Sequence, residues 1–298
     1  MARLFWRGIR GQFLSVSVVS LVVTAAVLRR QGASFFGPGF LPVLFGGALV
    51  HAGSNLWNDY ADELNGTDRA NREWSPFNGG SRVIQDGLLP AGKVRRAALF
   101  CFAAALLLAL ALVPGKGPAV LLLALLGIAL AVGYSSPPVW LGSRGLGEIA
   151  VGVAFGPLLC EGTAVALTGR FSSAILKIAI PLGLLVAAIL TLNEIPDLVA
   201  DRVAGKRTLA VRLGPRGAVR VYRLFIGGAF LSLFLGSFFG PPAGRLWLGL
   251  LALPFALWLM RKAGRVGLAA DEIFKKTAAG TVILHLLVGG LLLLGTLF

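Results

Sequence analysis

The segment 174–208 reads AILKIAIPLGLLVAAILTLNEIPDLVADRVAGKRT and joins a long apolar run to a cluster of acids and bases. Its first part, 174–194, is about as long as the apolar helix that is needed to cross the hydrocarbon core of a bilayer. Asp197 and Asp201 follow where that run ends. Acidic side chains are costly within lipid and are usually functional where they occur. The segment therefore predicts a membrane helix that ends in a functional polar site.

Eight further segments have the same apolar character. The whole chain is 56% hydrophobic and 14% charged, whereas soluble domains carry about 25% charged residues. We therefore predict an all-α fold, a polytopic bundle of nine transmembrane helices that forms one domain over residues 1–298. The predicted spans are 11–28, 39–58, 96–114, 118–134, 147–168, 174–194, 219–239, 243–260 and 274–297.

The basic residues predict how the bundle is oriented. The net charge is +15, but the cations lie in short clusters between apolar runs, which argues against nucleic acid as a partner. With a cytoplasmic N-terminus, 22 of the 28 Lys and Arg residues fall on the inside, in accordance with the positive-inside rule. We expect a multi-pass protein of the cell (inner) membrane, with its C-terminus outside. Residues 1–30 also resemble a signal peptide, but Arg29 and Arg30 directly after the apolar run disfavour cleavage.

Acidic and amide side chains gather at the ends of the second and sixth predicted helices, both on the cytoplasmic side. Asn58 and Asp62 are four residues apart and share one helix face. Asn193, Asp197 and Asp201 repeat that spacing. Like charges four residues apart repel on a helix, and a hard cation reverses that interaction. Mg²⁺ prefers carboxylate oxygens together with substrate phosphates, so we predict that it binds between the two helices.

Basic residues follow each acidic stripe, which indicates a diphosphate site on the cytoplasmic side. They are Arg69, Arg72 and Arg82 after the first, and Arg202, Lys206 and Arg207 after the second. Ordinary solvated charge explains five other acids: Glu63, Glu73, Asp86, Asp271 and Glu272. Asp59 points away from the stripe and is expected either to support it from behind or to belong to the following loop. The loop Gly79–Arg82 is either an anion-binding nest or a plain turn.

His51 and Asn55 share the polar face of the second helix with the first stripe. Both are therefore candidate substrate contacts, although a buried histidine with an internal partner is the more ordinary interpretation of His51. Glu161 lies within the fifth helix, where it must be neutral or paired. Neither Cys101 nor Cys160 has metal-type spacing.

Three sequence segments together resemble the UbiA superfamily of intramembrane prenyltransferases. They are NDYADELNGTD (58–68), GGSRVIQDG (79–87) and DLVADRVAGKRTLAVRLG (197–214), and YSSPP (134–138) adds to the likeness. The resemblance implies that Asn58, Asp62, Asp197 and Asp201 hold Mg²⁺ on a polyprenyl diphosphate. It offers Arg72, Arg82, Lys206, Tyr134 and Arg144 as phosphate contacts, with Asn55, Asn193 and His51 as further substrate contacts.

The first motif departs from the commonest family pattern at its third acid. Gly66 occupies that position, and Asp68 stands two residues later. This spacing resembles the naphthoate-quinone branch, so Asp68 is a further candidate metal ligand. The resemblance then implies prenylation of dihydroxynaphthoate in menaquinone biosynthesis, with loops 59–95 and 195–218 capping the site. Other UbiA-type acceptors (para-hydroxybenzoate, chlorophyll or haem precursors, archaeal lipids) and a membrane transporter are the alternatives.

Overall fold

The computed structural model describes residues 2–33, 37, 39–238 and 243–297. Its described part is helical and contains no β-strand, which confirms the all-α prediction. The helices are α1 (Ala2–Gly8), α2 (Gly11–Arg30), α3 (Phe40–Asn65), α4 (Thr67–Ala70), α5 (Ala91–Lys116), α6 (Ala119–Ser135), α7 (Gly147–Val153), α8 (Leu159–Thr168), α9 (Ser173–Val203), α10 (Leu209–Gly236), α11 (Leu253–Ala263) and α12 (Glu272–Leu297).

Eight helical stretches within the described residues are long and apolar enough to cross a membrane. The remaining predicted span corresponds to α6, which is shorter at 17 residues. Each predicted apolar segment therefore lies on a helix, and in the span 243–260 a 3₁₀ helix at Ala243–Ala252 leads into α11. The count of nine spans and the orientation of the termini stay predictions. The last residue of the predicted span 219–239 lies outside the described residues.

Two long helices continue past the apolar segments that predicted them. The predicted spans 39–58 and 174–194 belong to α3 and α9, which end at Asn65 and Val203. The polar ends remain helical because their side chains face a cavity and one another rather than lipid. Much of the expected cap loops is consequently helical: α5 begins at Ala91 and α10 at Leu209. The irregular remainder, residues 71–90, is called the cap segment below.

Helix α9 is the centre of the bundle, with 72% of its apolar window buried, against 28% for α3 and for α5. It packs closely on the helix pair α7–α8, which a π-helical turn at Ala154–Leu158 joins around Pro157. A Cβ at Gly183 would lie 2.3 Å from the carbonyl oxygen of Gly152, and one at Gly156 would lie 2.5 Å from that of Ala179. Glycine at these positions lets the two backbones touch.

Candidate active site

A cavity of about 360 Å³ runs into the bundle between α2, α3, α5, α6, α7–α8 and α9. One end is polar and is lined by both acidic stripes together with the cap segment. The other arm is apolar and is lined by small and aliphatic side chains, among them Val43, Ala109, Leu123, Gly127 and Gly162. The cavity therefore offers separate compartments to a charged group and to a hydrocarbon chain.

The first stripe lies on the last two turns of α3. The Asn58 amide nitrogen donates to Asp62 Oδ2 at 3.1 Å and contacts Ser135 Oγ on α6 at 3.2 Å. Asn65 Nδ2 donates to the other oxygen, Asp62 Oδ1, at 3.2 Å. Gly66 then ends the helix in the left-handed region at φ 79°. These contacts fix the Asp62 carboxylate at the mouth of the cavity.

Lys206 joins the two acidic stripes across the cavity. A turn after α9, with Gly205 at φ 76°, directs this side chain back towards α3. Its Nζ lies 2.6 Å from Asp62 Oδ1 and 3.6 Å from Asp201 Oδ1. Burial lowers the pKa of the Lys206 ammonium, but the neighbouring Asp62 and Asp201 carboxylates raise it more, so the net pKa is higher than usual. Lys206 is therefore a permanent cation at this point.

Asp197, on α9, is held by the cap segment. Its Oδ1 accepts hydrogen bonds from Asn71 Nδ2 at 2.6 Å and Asn78 Nδ2 at 2.7 Å. The Gly79 amide donates to Oδ2 at 3.2 Å. The loop Gly79–Arg82 is thus an anion-binding loop, and the anions that it binds here are carboxylates of this protein. This contact places the cap segment over the polar end of the cavity.

Asp68 is buried beside the first stripe, and no donor within the described residues reaches its Oδ2. Gly80 passes so close that a Cβ there would lie 2.4 Å from that oxygen. Burial raises the pKa of the Asp68 carboxyl, and the Asp62 and Asp59 carboxylates raise it further. A buried carboxyl oxygen without a donor suits a cation as its partner.

No three acidic, histidine or cysteine side chains of the described residues converge closely enough to hold a metal by themselves. The site therefore fits Mg²⁺ only if substrate oxygens complete the coordination, which is how Mg²⁺ is commonly bound with phosphates.

Arg10 is a residue of the polar end that the sequence did not identify. It lies just before α2, and its guanidinium donates to Asn58 Oδ1 at 2.8 Å and pairs with the buried Asp59. Asp59 also accepts from the Ser81 hydroxyl and amide. Asp59 thus supports the stripe from behind, as expected. The sequence offered no sign of this role for Arg10, which looked like an ordinary cytoplasmic charge before the first span.

Three predicted phosphate contacts lie away from the cavity. Arg72 is exposed, and Arg144 is also exposed and donates to the Pro138 carbonyl at 2.7 Å. Arg82 pairs with Asp86 at 3.4 Å and donates to the backbone carbonyls of Asp68 and Asn71. Of the arginines and lysines near the site, Lys206 and Arg10 are the ones that line the cavity within the described residues.

The other predicted substrate contacts do line the cavity: His51, Asn55, Tyr134 and Asn193. His51 already has partners, since Nδ1 lies 2.8 Å from Ser17 Oγ and its ring packs edge-on against Phe155. The Asn55 amide donates to the Ile9 carbonyl at 2.8 Å. The Oδ1 atom of Asn193 is buried without a donor among the described residues. Glu161 lies elsewhere, and accepts a hydrogen bond from the Ser172 amide at 3.0 Å.

Comparison with known proteins gives one consistent result. The model of the UbiA prenyltransferase family matches residues 18–279. The 1,4-dihydroxy-2-naphthoate octaprenyltransferase of Escherichia coli K12 is 31% identical over 94% of this chain and 91% of its own.

Two solved structures share the fold. A UbiA homologue from Aeropyrum pernix K1 superposes with a TM-score of 0.70 at 20% identity, over 94% of this chain and 97% of its own. A UbiA homologue from Archaeoglobus fulgidus bound to DMAPP and Mg²⁺ gives 0.67 at 13% identity, over 97% of this chain and 98% of its own.

Proposed function

Because this chain belongs to the UbiA prenyltransferase family, we propose that it transfers a polyprenyl group from its diphosphate to dihydroxynaphthoate, in a Mg²⁺-dependent reaction of menaquinone biosynthesis. The chain is a multi-span membrane enzyme of that family. The observation that carries the proposal is the cavity, in which two acidic stripes face each other at the polar end and an apolar arm leads away from them.

The polar end suits the diphosphate and its metal. Asp62, Asp68, Asp197 and Asp201, with the amide oxygen of Asn58, are the side chains that would hold Mg²⁺. When bound, the metal neutralises charge on the departing diphosphate. Lys206 supplies a fixed positive charge between Asp62 and Asp201. A cation already in place needs no reorganisation as negative charge develops on the leaving group.

The apolar arm suits the hydrocarbon tail of the donor. Its lining from α3, α5, α6 and α8 offers no charged side chain within the described residues. The cap segment closes the opposite, polar end through its hydrogen bonds to Asp197. This arrangement keeps water from the allylic cation that forms as the diphosphate leaves. With the N-terminus inside, the site faces the cytoplasm.

Dihydroxynaphthoate is proposed as the acceptor from the spacing of the first motif and from the E. coli relative, whose name specifies that acid. Asp68 is the residue in which that spacing differs from the commoner pattern. It lies at the cavity with Asp62, so the unusual spacing still brings its third acid to the polar end.

A competition assay tests this acceptor. Purified protein in lipid nanodiscs receives one polyprenyl diphosphate, Mg²⁺ and equal concentrations of dihydroxynaphthoate and para-hydroxybenzoate, and the products are separated by mass. We expect the prenylated naphthoquinol, with carbon dioxide lost. Prenylated para-hydroxybenzoate without naphthoate product would refute the acceptor and leave prenyl transfer standing. Absence of prenylated product from any aromatic acceptor would refute the whole proposal.

A further inference from the structure

Two buried glutamates meet beside the cavity and take no part in the site described above. Glu148 lies in the first turn of α7 and is 2% exposed, and Glu194 lies on α9 and is 6% exposed. Glu194 lines the cavity. It precedes Asp197 by three residues and Asp201 by seven, which places it about 60° and about 20° around the helix from them. It therefore lies on the same side of α9 as these two acids, about one turn deeper in the bundle than Asp197.

The two carboxyl groups lie within hydrogen-bonding reach of each other. Two carboxylates cannot donate to each other, so neither satisfies the other without a shared proton. Within the described residues, no other donor reaches Glu148 Oε1 or Glu194 Oε2. Both oxygens are therefore open to a donor that a ligand brings.

Such a pair is costly to bury without a compensating partner. Removing carboxyl groups from water without full hydrogen bonding is unfavourable, and α7 and α9 already pack closely through glycines. Asn193, next to Glu194, has a buried amide oxygen without a donor as well. Both side chains line the cavity and both accept hydrogen bonds, so this wall suits a ligand that brings hydroxyl donors.

We propose that the Glu148–Glu194 pair is the base of the acceptor site: Glu194 accepts a hydrogen bond from an acceptor hydroxyl and takes its proton during transfer. This inference rests on the proposed function, which requires a hydroxyl-bearing aromatic acceptor. Asn193 Oδ1 accepts from the same hydroxyl or its neighbour.

The step balances in protons and electrons. As the hydroxyl proton moves to the pair, a ring carbon bonds to C1 of the prenyl group. The C1–O bond to the diphosphate breaks, and its electron pair leaves on the diphosphate. The ring then loses either carbon dioxide, whose bonding electrons stay in the ring, or a proton, which passes to the diphosphate. Aromaticity is restored as a phenolate, and the pair returns its proton to that oxygen.

The test compares Glu194→Gln with Glu194→Asp. Glutamine keeps the size of the side chain but cannot take the proton, and general bases typically contribute about 10²–10⁴-fold in rate. We expect Glu194→Gln to lower kcat at saturating acceptor by about 100-fold or more, while the KM for the prenyl diphosphate is unchanged. Glu194→Asp restores part of kcat. Glu161→Gln, which changes another membrane-embedded carboxyl away from the cavity, is the matched control and keeps wild-type kinetics.

A second acceptor separates a base from a merely structural pair. The dimethoxy analogue of the naphthoate has no hydroxyl proton to give, so wild type and Glu194→Gln should prenylate it at equal rates. Thermal unfolding and prenyl diphosphate binding confirm that each variant is folded. If Glu194→Gln does not fold, Glu148→Gln is measured in its place. This second variant removes the partner carboxyl of the pair and keeps Glu194. A smaller kcat loss with the hydroxyl acceptor and none with the ether is then expected.

Equal kcat of wild type and Glu194→Gln on the hydroxyl acceptor would overturn the inference, as would the same fold loss with the hydroxyl and the ether acceptors. In both outcomes wild-type turnover is intact, so the proposed function stands. If wild type prenylates no aromatic acceptor, the proposed function fails first.

Discussion

Replacing Lys206 with methionine removes the cation that joins the two acidic stripes. Methionine keeps much of the length and volume of the side chain, so the change is mainly one of charge. The side chains of Lys206 and Asp62 are 10% and 11% exposed, with 2.6 Å between Nζ and Oδ1. Asp201, at 3.6 Å, loses its cation as well. The variant therefore leaves two nearly buried carboxylates facing each other.

The expected cost is large for a single substitution. Removing one partner of a buried ion pair destabilises a protein by about 3–5 kcal/mol, because the remaining charge is left uncompensated. Since a divalent cation can take over that compensation, the loss should be greatest in EDTA and smaller with Mg²⁺. A smaller loss of stability with Mg²⁺ than with EDTA is expected only if Lys206 and the metal neutralise the same carboxylates.

Thermal unfolding of the purified protein in nanodiscs, with EDTA or with Mg²⁺, measures both effects. Lys275→Met is the control, because Lys275 pairs with Glu272 at 3.6 Å on the surface and exposed pairs contribute about 0–1 kcal/mol. Wild-type stability of Lys206→Met in EDTA would refute the buried pair. Equal destabilisation with and without Mg²⁺ would refute a metal at these carboxylates.

Asp197→Asn should lower the transfer rate by about 100-fold or more, corresponding to about 2.7 kcal/mol of transition-state stabilisation, while Glu272→Gln leaves it unchanged in the same steady-state assay. Gly162→Leu should fill the apolar arm, because nothing lies within 4 Å of a Cβ at this position. We expect the variant to lose activity with long polyprenyl diphosphates while it still uses dimethylallyl diphosphate. Gly227 is equally open but lies away from the cavity, so Gly227→Leu should keep the wild-type preference for chain length. A cysteine at exposed Arg216 should react with an impermeant maleimide only from the cytoplasmic face, and labelling from the outside would contradict the orientation.

The sequence predicted the helices well because length and apolar character suffice to identify them. It placed two helix ends too early, since the ends of α3 and α9 are polar and polarity suggests a loop. Their side chains instead face an internal cavity, a tertiary property that no local pattern contains. The π-helical turn at Ala154–Leu158 was likewise hidden, because a Pro within an apolar run does not specify how the helix accommodates it.

The site was predicted in part. The four-residue spacing placed Asp62 and Asp197 on inward faces, and both line the cavity. Arg72 and Arg144 were offered as phosphate contacts by the family resemblance, but both lie outside the helices that carry the acidic stripes, and both are exposed. Arg10 escaped notice because its partners, Asn58 and Asp59, are distant in sequence. Glu194 was not singled out, because its contact with Glu148 depends on the packing of α7 against α9.

The most direct test of the proposed reaction is product formation by the purified protein with a polyprenyl diphosphate, dihydroxynaphthoate and either Mg²⁺ or EDTA. Mass spectrometry follows the prenylated naphthoquinol for wild type and Asp62→Asn. We expect product from wild type with Mg²⁺, none with EDTA, recovery when Mg²⁺ is restored, and about 100-fold less or lower from Asp62→Asn. Undiminished product in EDTA, or from Asp62→Asn at saturating Mg²⁺, would contradict a metal–diphosphate site between the two acidic stripes.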